Sequence, residues 1–423
     1  MAGILVAWGA PGRAAASPSP SSTCTRRVKV QLPSGAPLAQ LHGVTAISAS
    51  DAWAVGYYAR RWGRMMPLAA HWDGTTWSSV PVPAPPRVKD RNFFPEGFYL
   101  SDVDAVAPSN VWAIGGGVHY PVGVVADHIP RWPAPELRYV PLLFHWNGVR
   151  WGRLPLPRLG GRASFAGLDV VGPGDVWVVG AWQRAYAPHS RVLPLFMHWD
   201  GAGWEVRHPD LFPGRARTQL SGVTTTSSSS TIALGVTSGG SQGAGGTFTA
   251  TLGAGAWLVT PAPSGISHLS GDWGVGGSTK VPDPNTPSGF DLSFSAYLRG
   301  PTGWDLVPTP PLDVHDTQDD LLIGVTGTGV ADLGPSDAWL VGNDDIEDGG
   351  FSDSHAHAER WDGTAWSVVP LPRPLFTHWV SGVDADPATG ATFIVGGVRI
   401  LSDENPHAAR NRMEPLVFQG TCA

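Results

Sequence analysis

Short apolar runs alternate with turn residues along the whole chain, and the same run recurs at a regular spacing. In its clearest form an acidic residue precedes an apolar run that closes on glycine, as in Asp51-Ala52-Trp53-Ala54-Val55-Gly56 and Asp337-Ala338-Trp339-Leu340-Val341-Gly342. Each is followed by a second run and a fixed turn: His71-Trp72-Asp73-Gly74-Thr75-Thr76-Trp77 in the first case, Arg360-Trp361-Asp362-Gly363-Thr364-Ala365-Trp366 in the second. Apolar runs between turn signals read as strands. In the first unit they predict strands over Leu41–Ile47, Ala52–Tyr57, Pro67–Trp72 and Trp77–Pro83. Asp73-Gly74 is then a tight hairpin turn that needs positive φ. A repeat made only of strands and turns predicts a β-propeller.

Aligned on the closing glycine, the copies end at Gly56, Gly115, Gly180, Gly235, Gly276, Gly342 and Gly396. The tryptophan position holds Trp53, Trp112, Trp177, Ile232, Trp273, Trp339 and Phe393, always large and apolar. The expectation is an all-β fold, a seven-bladed propeller of four-stranded blades filling residues 24–423 as one domain. The mean repeat of roughly 57 residues exceeds the common ~40–50, so the excess must lie in loops. Trp151, Trp204, Trp257, Trp304 and Trp366 open the fourth strands of later units. Unit four (Leu220–Pro263) has lost many motif residues, and unit five has a shortened first strand near Ile266–Leu269. The last unit stops after Pro415-Leu416-Val417-Phe418-Gln419-Gly420, a third strand with no fourth. The missing pattern occurs at Arg26–Pro33, so the N-terminal strand is expected to complete the last blade. That closes the ring and removes two exposed sheet edges.

Composition agrees: 54 Gly, 40 Pro and 20 Trp with 15% charged residues favour short strands and tight turns over helices. A formal net charge of −7 gives no basis for a nucleic-acid partner. No stretch reaches the ~18 apolar residues that span a bilayer. Residues 1–23 read as a signal peptide or disordered leader, with an apolar run at Ile4–Trp8 and a small-residue site at Ala14-Ala15-Ala16. The two cysteines, Cys24 and Cys422, fall at the third-to-fourth-strand turn of the last blade, so a disulfide across the seam is expected. It implies an oxidising compartment, hence a secreted protein. A monomer is expected.

In such blades the second-to-third-strand loops and the blade-to-blade connections share one face. Here they are the long ones: Tyr57–Met66, Gly116–Val140, Ala181–Leu193, Gly277–Asp291 and Asn343–Ser354, with Ala84–Tyr99 and Leu312–Asp320 between blades. Scaffold-borne loops of this kind carry binding or catalysis. Residues repeated in several blades read instead as scaffold. His71, His145 and His198 suit packing and hydrogen bonding, and Asp51, Asn110, Asp175 and Asp337 suit capping of the first turn. Two non-repeated groups are candidates. Asp344, Asp345, Asp348 and Asp353 with His355 and His357 can hold Ca²⁺ or another divalent metal. Ile346 and His355, however, stand where a calcium loop carries oxygen ligands, and a solvated acidic loop is the alternative. Tyr57, Tyr58, Arg60, Arg61, Trp62 and Arg64, with Arg131, Trp132 and Arg138 from the next blade, suit a carboxylated sugar or a protein partner. No phosphate-binding glycine loop, nucleophile elbow or His-Glu-x-x-His is present, and no organic cofactor is expected.

The two repeated motifs resemble those of secreted bacterial β-propellers grouped as kelch-like or galactose-oxidase-like, over residues 25–420. The resemblance implies the fold and no particular activity. Galactose oxidase itself needs copper and a Cys–Tyr crosslink, which two terminal cysteines exclude. Sialidases carry Ser-x-Asp-x-Gly-x-x-Trp turns; Trp72-Asp73-Gly74-Thr75-Thr76-Trp77 is similar but lacks the residue between Asp and Gly. With no site visible, the expectation is a non-catalytic module that binds a glycan or protein on the long-loop face. The alternative is a glycan-active enzyme, a hydrolase or lyase of sialidase-like type, using Asp127, Glu136, Asp316, Asp319 and Asp320.

Overall fold

The computed structural model describes residues 24–34, 36, 38–59, 64–85, 93–121, 138–184, 191–226, 230–239, 245–253, 256–282, 290–312, 320–348, 351–372, 377–400 and 412–421. Among these, all regular elements are strands. Two short ones, β1 (Thr25–Arg27) and β2 (Val30–Gln31), precede a series of antiparallel meanders. The first meander is β3 (Leu38–Ser48), β4 (Asp51–Ala59), β5 (Met65–Trp72) and β6 (Trp77–Val80). Next come β7 (Phe93–Ala107), β8 (Asn110–Pro121), β9 (Arg138–Trp146) and β10 (Trp151–Arg153), then β11 (Gly161–Gly172), β12 (Asp175–Arg184), β13 (Val192–Trp199) and β14 (Trp204–Arg207). They are followed by β15 (Arg217–Thr225), β16 (Thr231–Ser238), β17 (Gly246–Leu252) and β18 (Trp257–Pro261), and by β19 (Ile266–Ser270), β20 (Trp273–Pro282), β21 (Phe290–Gly300) and β22 (Gly303–Val307). The series ends with β23 (Asp320–Gly334), β24 (Asp337–Asp348), β25 (Phe351–Trp361) and β26 (Trp366–Val368), and with β27 (His378–Ala385), β28 (Ala391–Ile400) and β29 (Arg412–Thr421). Four-stranded antiparallel units of this kind are propeller blades.

The closing glycine of the motif has a steric cause. In the first strand of every unit one residue bulges out of register, as His42 does between Leu41 and Gly43. Opposite the bulge the two backbones approach so closely that a Cβ on Gly56 would lie 2.0 Å from the carbonyl of Gln40. The same holds for Gly396 against Trp379 in the last unit. Bulges bend a strand and re-aim a side chain. Here the bulged residues His42, Ser101, Ala166, Ser221, Ser267, Thr328 and Ser381 line one common channel.

The motif tryptophans pack outward against the following unit. Trp53 is 1% exposed, with its ring 4.8 Å from Trp146 and 5.2 Å from Trp151. His71 stacks on Trp53 at 4.5 Å and its Nε2 meets Asp51 Oδ1 at 2.9 Å. Asp175 with His198 and Asp337 with Arg360 repeat the pairing, so these acids bond the third strand instead of capping the first turn. Side-chain hydrogen bonds also run from unit to unit near the axis. His42 Nδ1 donates to Leu100 O (2.9 Å), Leu168 N to Asp102 Oδ2 (3.0 Å), and Thr225 Oγ1 to Asp169 Oδ2 (2.6 Å). Gly271 N donates to Thr224 Oγ1 (2.9 Å), Ser267 Oγ to Gly327 O (3.1 Å), and Thr328 Oγ1 to Val380 O (2.8 Å). Ala46 N, in the first unit, donates to Asp384 Oδ2 in the last (2.8 Å).

Two expectations change. The N-terminal segment pairs with β29 only as far as Val28, whose N–H reaches Val417 O at 2.9 Å. Val30–Gln31 then crosses to run parallel with β6, and Val30 is buried with Trp72, Trp77, Phe393 and Val395. An apolar Val30 gains more in that inter-unit core than at a sheet edge. The acidic segment Asn343–Ser354 is a hairpin extension of β24 and β25 instead of a loop, with Asp345 facing Ser354 and Asp348 facing Phe351.

Candidate active site

The first strands of all units converge on a channel of about 320 Å³. Most positions along it repeat, and the exceptions stand out by register. The residue after the bulge is glycine in five units: Gly43, Gly167, Gly222, Gly329 and Gly382. In the other two it is Asp102 and His268. The bulged position is Ser, Thr or Ala except in the first unit, where it is His42. Residues repeated in several units read as scaffold, so these three, which break the repeat, carry the asymmetry.

Asp102 is held rigidly. Leu168 N donates to Oδ2, and its neighbour Val103 N donates to Oδ1 at 2.9 Å. Burial pushes its carboxyl up to about 7 against those two amides, with the charge of Asp169 adding to the rise. Burial also raises Asp169 and Asp384 to about 6, and it raises Asp104 well above the usual range, with Asp169 contributing there too. Asp104, Asp169 and Asp384 share one register position, opposite Trp112, Trp177 and Phe393, and bond neighbouring units. They are latches first. Asp102 has no counterpart in other units.

His42 keeps its proton on Nδ1, because the Leu100 carbonyl can only accept, and burial lowers its pKa so that the ring stays neutral. The rings of Tyr57 and Tyr99 flank it at 5.6 and 5.8 Å toward the long-loop mouth. His268 lies open to the channel with Nδ1 2.9 Å from Ser267 Oγ, and crowding by the walls lowers its pKa. A larger groove of about 1,110 Å³ runs beside Arg27–Pro33. Among the described residues its one carboxylate is Glu414, which is paired to Arg27 and Arg412.

Of the expected basic-aromatic group, Tyr57 reaches the channel rim, its hydroxyl donating to Gln40 Oε1 at 3.4 Å. Tyr58 packs on the core between units, and Arg64 is exposed beside β5. Arg60, Arg61, Trp62, Arg131 and Trp132 lie outside the described residues, as does the side chain of Arg138 in β9. Of the metal set, the structure brings together Asp344, His355 and His357. Asp344 is 1% exposed; His357 Nε2 lies 2.9 Å from Oδ2 and His355 N donates to Oδ1 at 2.7 Å. The imidazole contacts hold its carboxyl well below the usual range despite burial. Asp345 is exposed on the other side of the strand, and the side chains of Asp348 and Asp353 are outside the described residues. Among the described residues no group of three or more His, Cys, Asp or Glu has metal-holding geometry. Asp127, Glu136, Asp316 and Asp319 are outside the described residues, with the side chain of Asp320; Cys422 is too. No described helix is long and apolar enough to cross a membrane. Motif reading missed Asp102, His42 and His268 because it weighed the long loops and not the first strands. Their signal was a break in a glycine column.

No protein-family model matches the chain, and no curated protein does. It is similar to the solved α-L-arabinofuranosidase from Fusarium graminearum at 11% identity, covering 92% of this chain and 96% of that one, with a TM-score of 0.40. For the GH74 xyloglucanase from Xanthomonas campestris the values are 14%, 93%, 55% and 0.45, and for a xylan β-xylosidase from Bacillus halodurans 10%, 93%, 96% and 0.32. The expectation of a non-catalytic binding module is corrected here. The neighbours are named as glycoside-cleaving enzymes. That expectation rested on no site being visible in the sequence; the channel brings the unrepeated His42, Asp102 and His268 together. At these identities the likeness is one of fold, and the chemistry must come from the channel itself.

Proposed function

We propose that this chain is a glycan-active enzyme, a hydrolase or lyase that acts at the long-loop mouth of the axial channel with Asp102 as its general acid. The observation that carries the reading is Asp102: a carboxyl in a glycine column, fixed by two amides and raised to about 7. Glycoside cleavage needs a proton delivered to the leaving oxygen and a second, ionised carboxylate nearby. Burial raises both Asp102 and the neighbouring Asp169, and the charge of Asp169 adds to the rise of Asp102, so the two carboxyls together hold a proton above the usual carboxylate range. Tyr57 and Tyr99 offer aromatic surface for a sugar ring at the mouth.

The framework for this site is a closed ring of seven blades. Support comes from the unit-to-unit hydrogen bonds that return from Asp384 to Ala46, and from the shared core of Val30, Trp77, Phe393 and Val395. Cys24 and Cys422 join as a disulfide at the seam. The register Thr25↔Gly420 brings the two chain ends together, and Cys24 is not a free thiol. Such a bond belongs to an exported protein.

The test is product release from a panel of neutral and acidic oligosaccharides, read by mass spectrometry. Wild type yields products, and Asp102→Asn loses at least ~100-fold in rate with an unchanged melting temperature. The wild-type rate falls as pH rises through about 7, because a general acid must hold its proton. Wild type that cleaves nothing, or Asp102→Asn at full activity, refutes the assignment.

A further inference from the structure

The geometry points to a second ligand site, on the short-turn face between the second and third units, that takes a sugar ring of a neutral oligosaccharide. Four features meet there. First, the inter-unit tryptophans are splayed. Trp273 lies 5.3 and 4.9 Å from Trp361 and Trp366, and Trp53 is as close to its pair, but Trp112 stands 6.5 Å from Trp199 and 6.0 Å from Trp204. A cavity of about 550 Å³ opens between them, within the ~300–1,000 Å³ of small-ligand sites.

Second, Trp204 is only partly buried in that cavity, as Trp257 and Trp304 are in later units, while Trp77, Trp151 and Trp366 are buried. Third, Trp72, Trp146 and Trp361 each donate their indole N–H to a carbonyl of the first turn, at 3.0, 3.1 and 3.2 Å. Trp199 makes no such bond to Pro173, so its donor is available in the cavity wall. Fourth, the acid of the motif is here Asn110. Its Oδ1 accepts from Trp112 Nε1 and His145 Nε2, both at 2.8 Å, which fixes the amide and leaves its NH₂ to a ligand.

The chemistry selects the occupant. Among the described residues no Asp, Glu, Lys or Arg lines the cavity, and burial lowers the His145 pKa so that it stays neutral. An uncharged ligand is therefore favoured. Trp199, Trp204 and Leu154 supply apolar walls for the C–H face of a pyranose. The Asn110 NH₂ and the Trp199 N–H supply donors for its hydroxyl oxygens. The site is separate from the channel, whose proposed catalytic mouth opens on the opposite, long-loop face. It stands apart from the catalytic reading.

Titration calorimetry and indole fluorescence with linear oligomers of glucose, xylose and mannose test it, with an oligogalacturonate and a proline-rich peptide as comparators. The expected result is saturable binding of a neutral oligomer that persists in Asp102→Asn. Asn110→Asp should weaken it ~10-fold, since it removes the donor and adds a charge. That variant restores the residue that three other units carry, so the fold tolerates it. Trp199→Phe, which keeps the ring and removes the N–H, should weaken binding in the same direction. Binding that ignores Asn110→Asp, that disappears in Asp102→Asn, or that is shown only by the peptide or the acidic oligomer overturns the site, as does no binding at all. Binding without any cleavage by wild type would remove the catalytic reading and leave this one standing.

Discussion

Glu359 sits where no charge belongs. Its register position on β25 is Ala70, Phe144, Met197 and Phe418 in other units. The side chain is fully buried and neither carboxyl oxygen has a hydrogen-bond partner. Burial pushes its pKa from 4.5 up to about 8, so the folded state holds the proton to higher pH than the unfolded chain does. The sign follows: its contribution is most favourable below about 4.5 and is lost as pH rises through about 8. Glu359→Met, copying Met197, should raise stability by ~1–3 kcal/mol at pH 8 and less at pH 5. Denaturant unfolding at the two pH values checks this, and equal stability in both proteins at pH 8 would show that Glu359 has a partner.

At the scale of elements, the strands and the third-to-fourth-strand turns were legible in the sequence. Asp73 accepts from Thr75 N and Thr76 N, both at 2.8 Å, and Gly74 takes φ of 89°, as the Asp-Gly pair demands. Less legible was the cause of the motif glycine, because a bulge lies on one strand and its consequence on another. Gly56→Ala should lose well over ~1 kcal/mol, since the clash is with backbone that cannot step aside. Gly172→Ala, where a Cβ meets nothing within 4 Å, should change stability by less than ~1 kcal/mol. Thermal melts of the pair decide it; matching melts would mean the bulge relaxes. The acids Asp51, Asp175 and Asp337 were misassigned because the first turn is near in sequence while His71, His198 and Arg360 are near only once strands pair.

Across the whole molecule the buried clusters lie between units. One joins last and first units through Val30, Trp77 and Phe393, and others bridge most successive pairs. Among the described residues none bridges the fourth and fifth units, where the motif is most eroded. In the proposed closed ring, stability then depends on the seam. Replacing Cys24 and Cys422 together by serine should lower the melting temperature, with the chain-entropy model giving ~5 kcal/mol before strain. Non-reducing peptide mapping should recover the two segments joined; two free thiols would remove the disulfide from the proposed closure.

By itself the sequence determined the strand repeat, its turn chemistry and the large apolar residue of each unit, because periodicity and turn preference act over a few neighbouring positions. It also contained the departures that mark the sites, Asp102 in a glycine column and Asn110 among aspartates, but only as irregularities. The tertiary structure decided what they mean. Bulges on separate strands turn His42, Asp102 and His268 into one channel, and burial there moves Asp102 toward 7. The wide spacing of Trp112 from Trp199 and Trp204 opens a cavity of about 550 Å³ between the second and third units. The physical reason is that burial and close approach depend on residues far apart in the chain, and no local pattern encodes the distance between them.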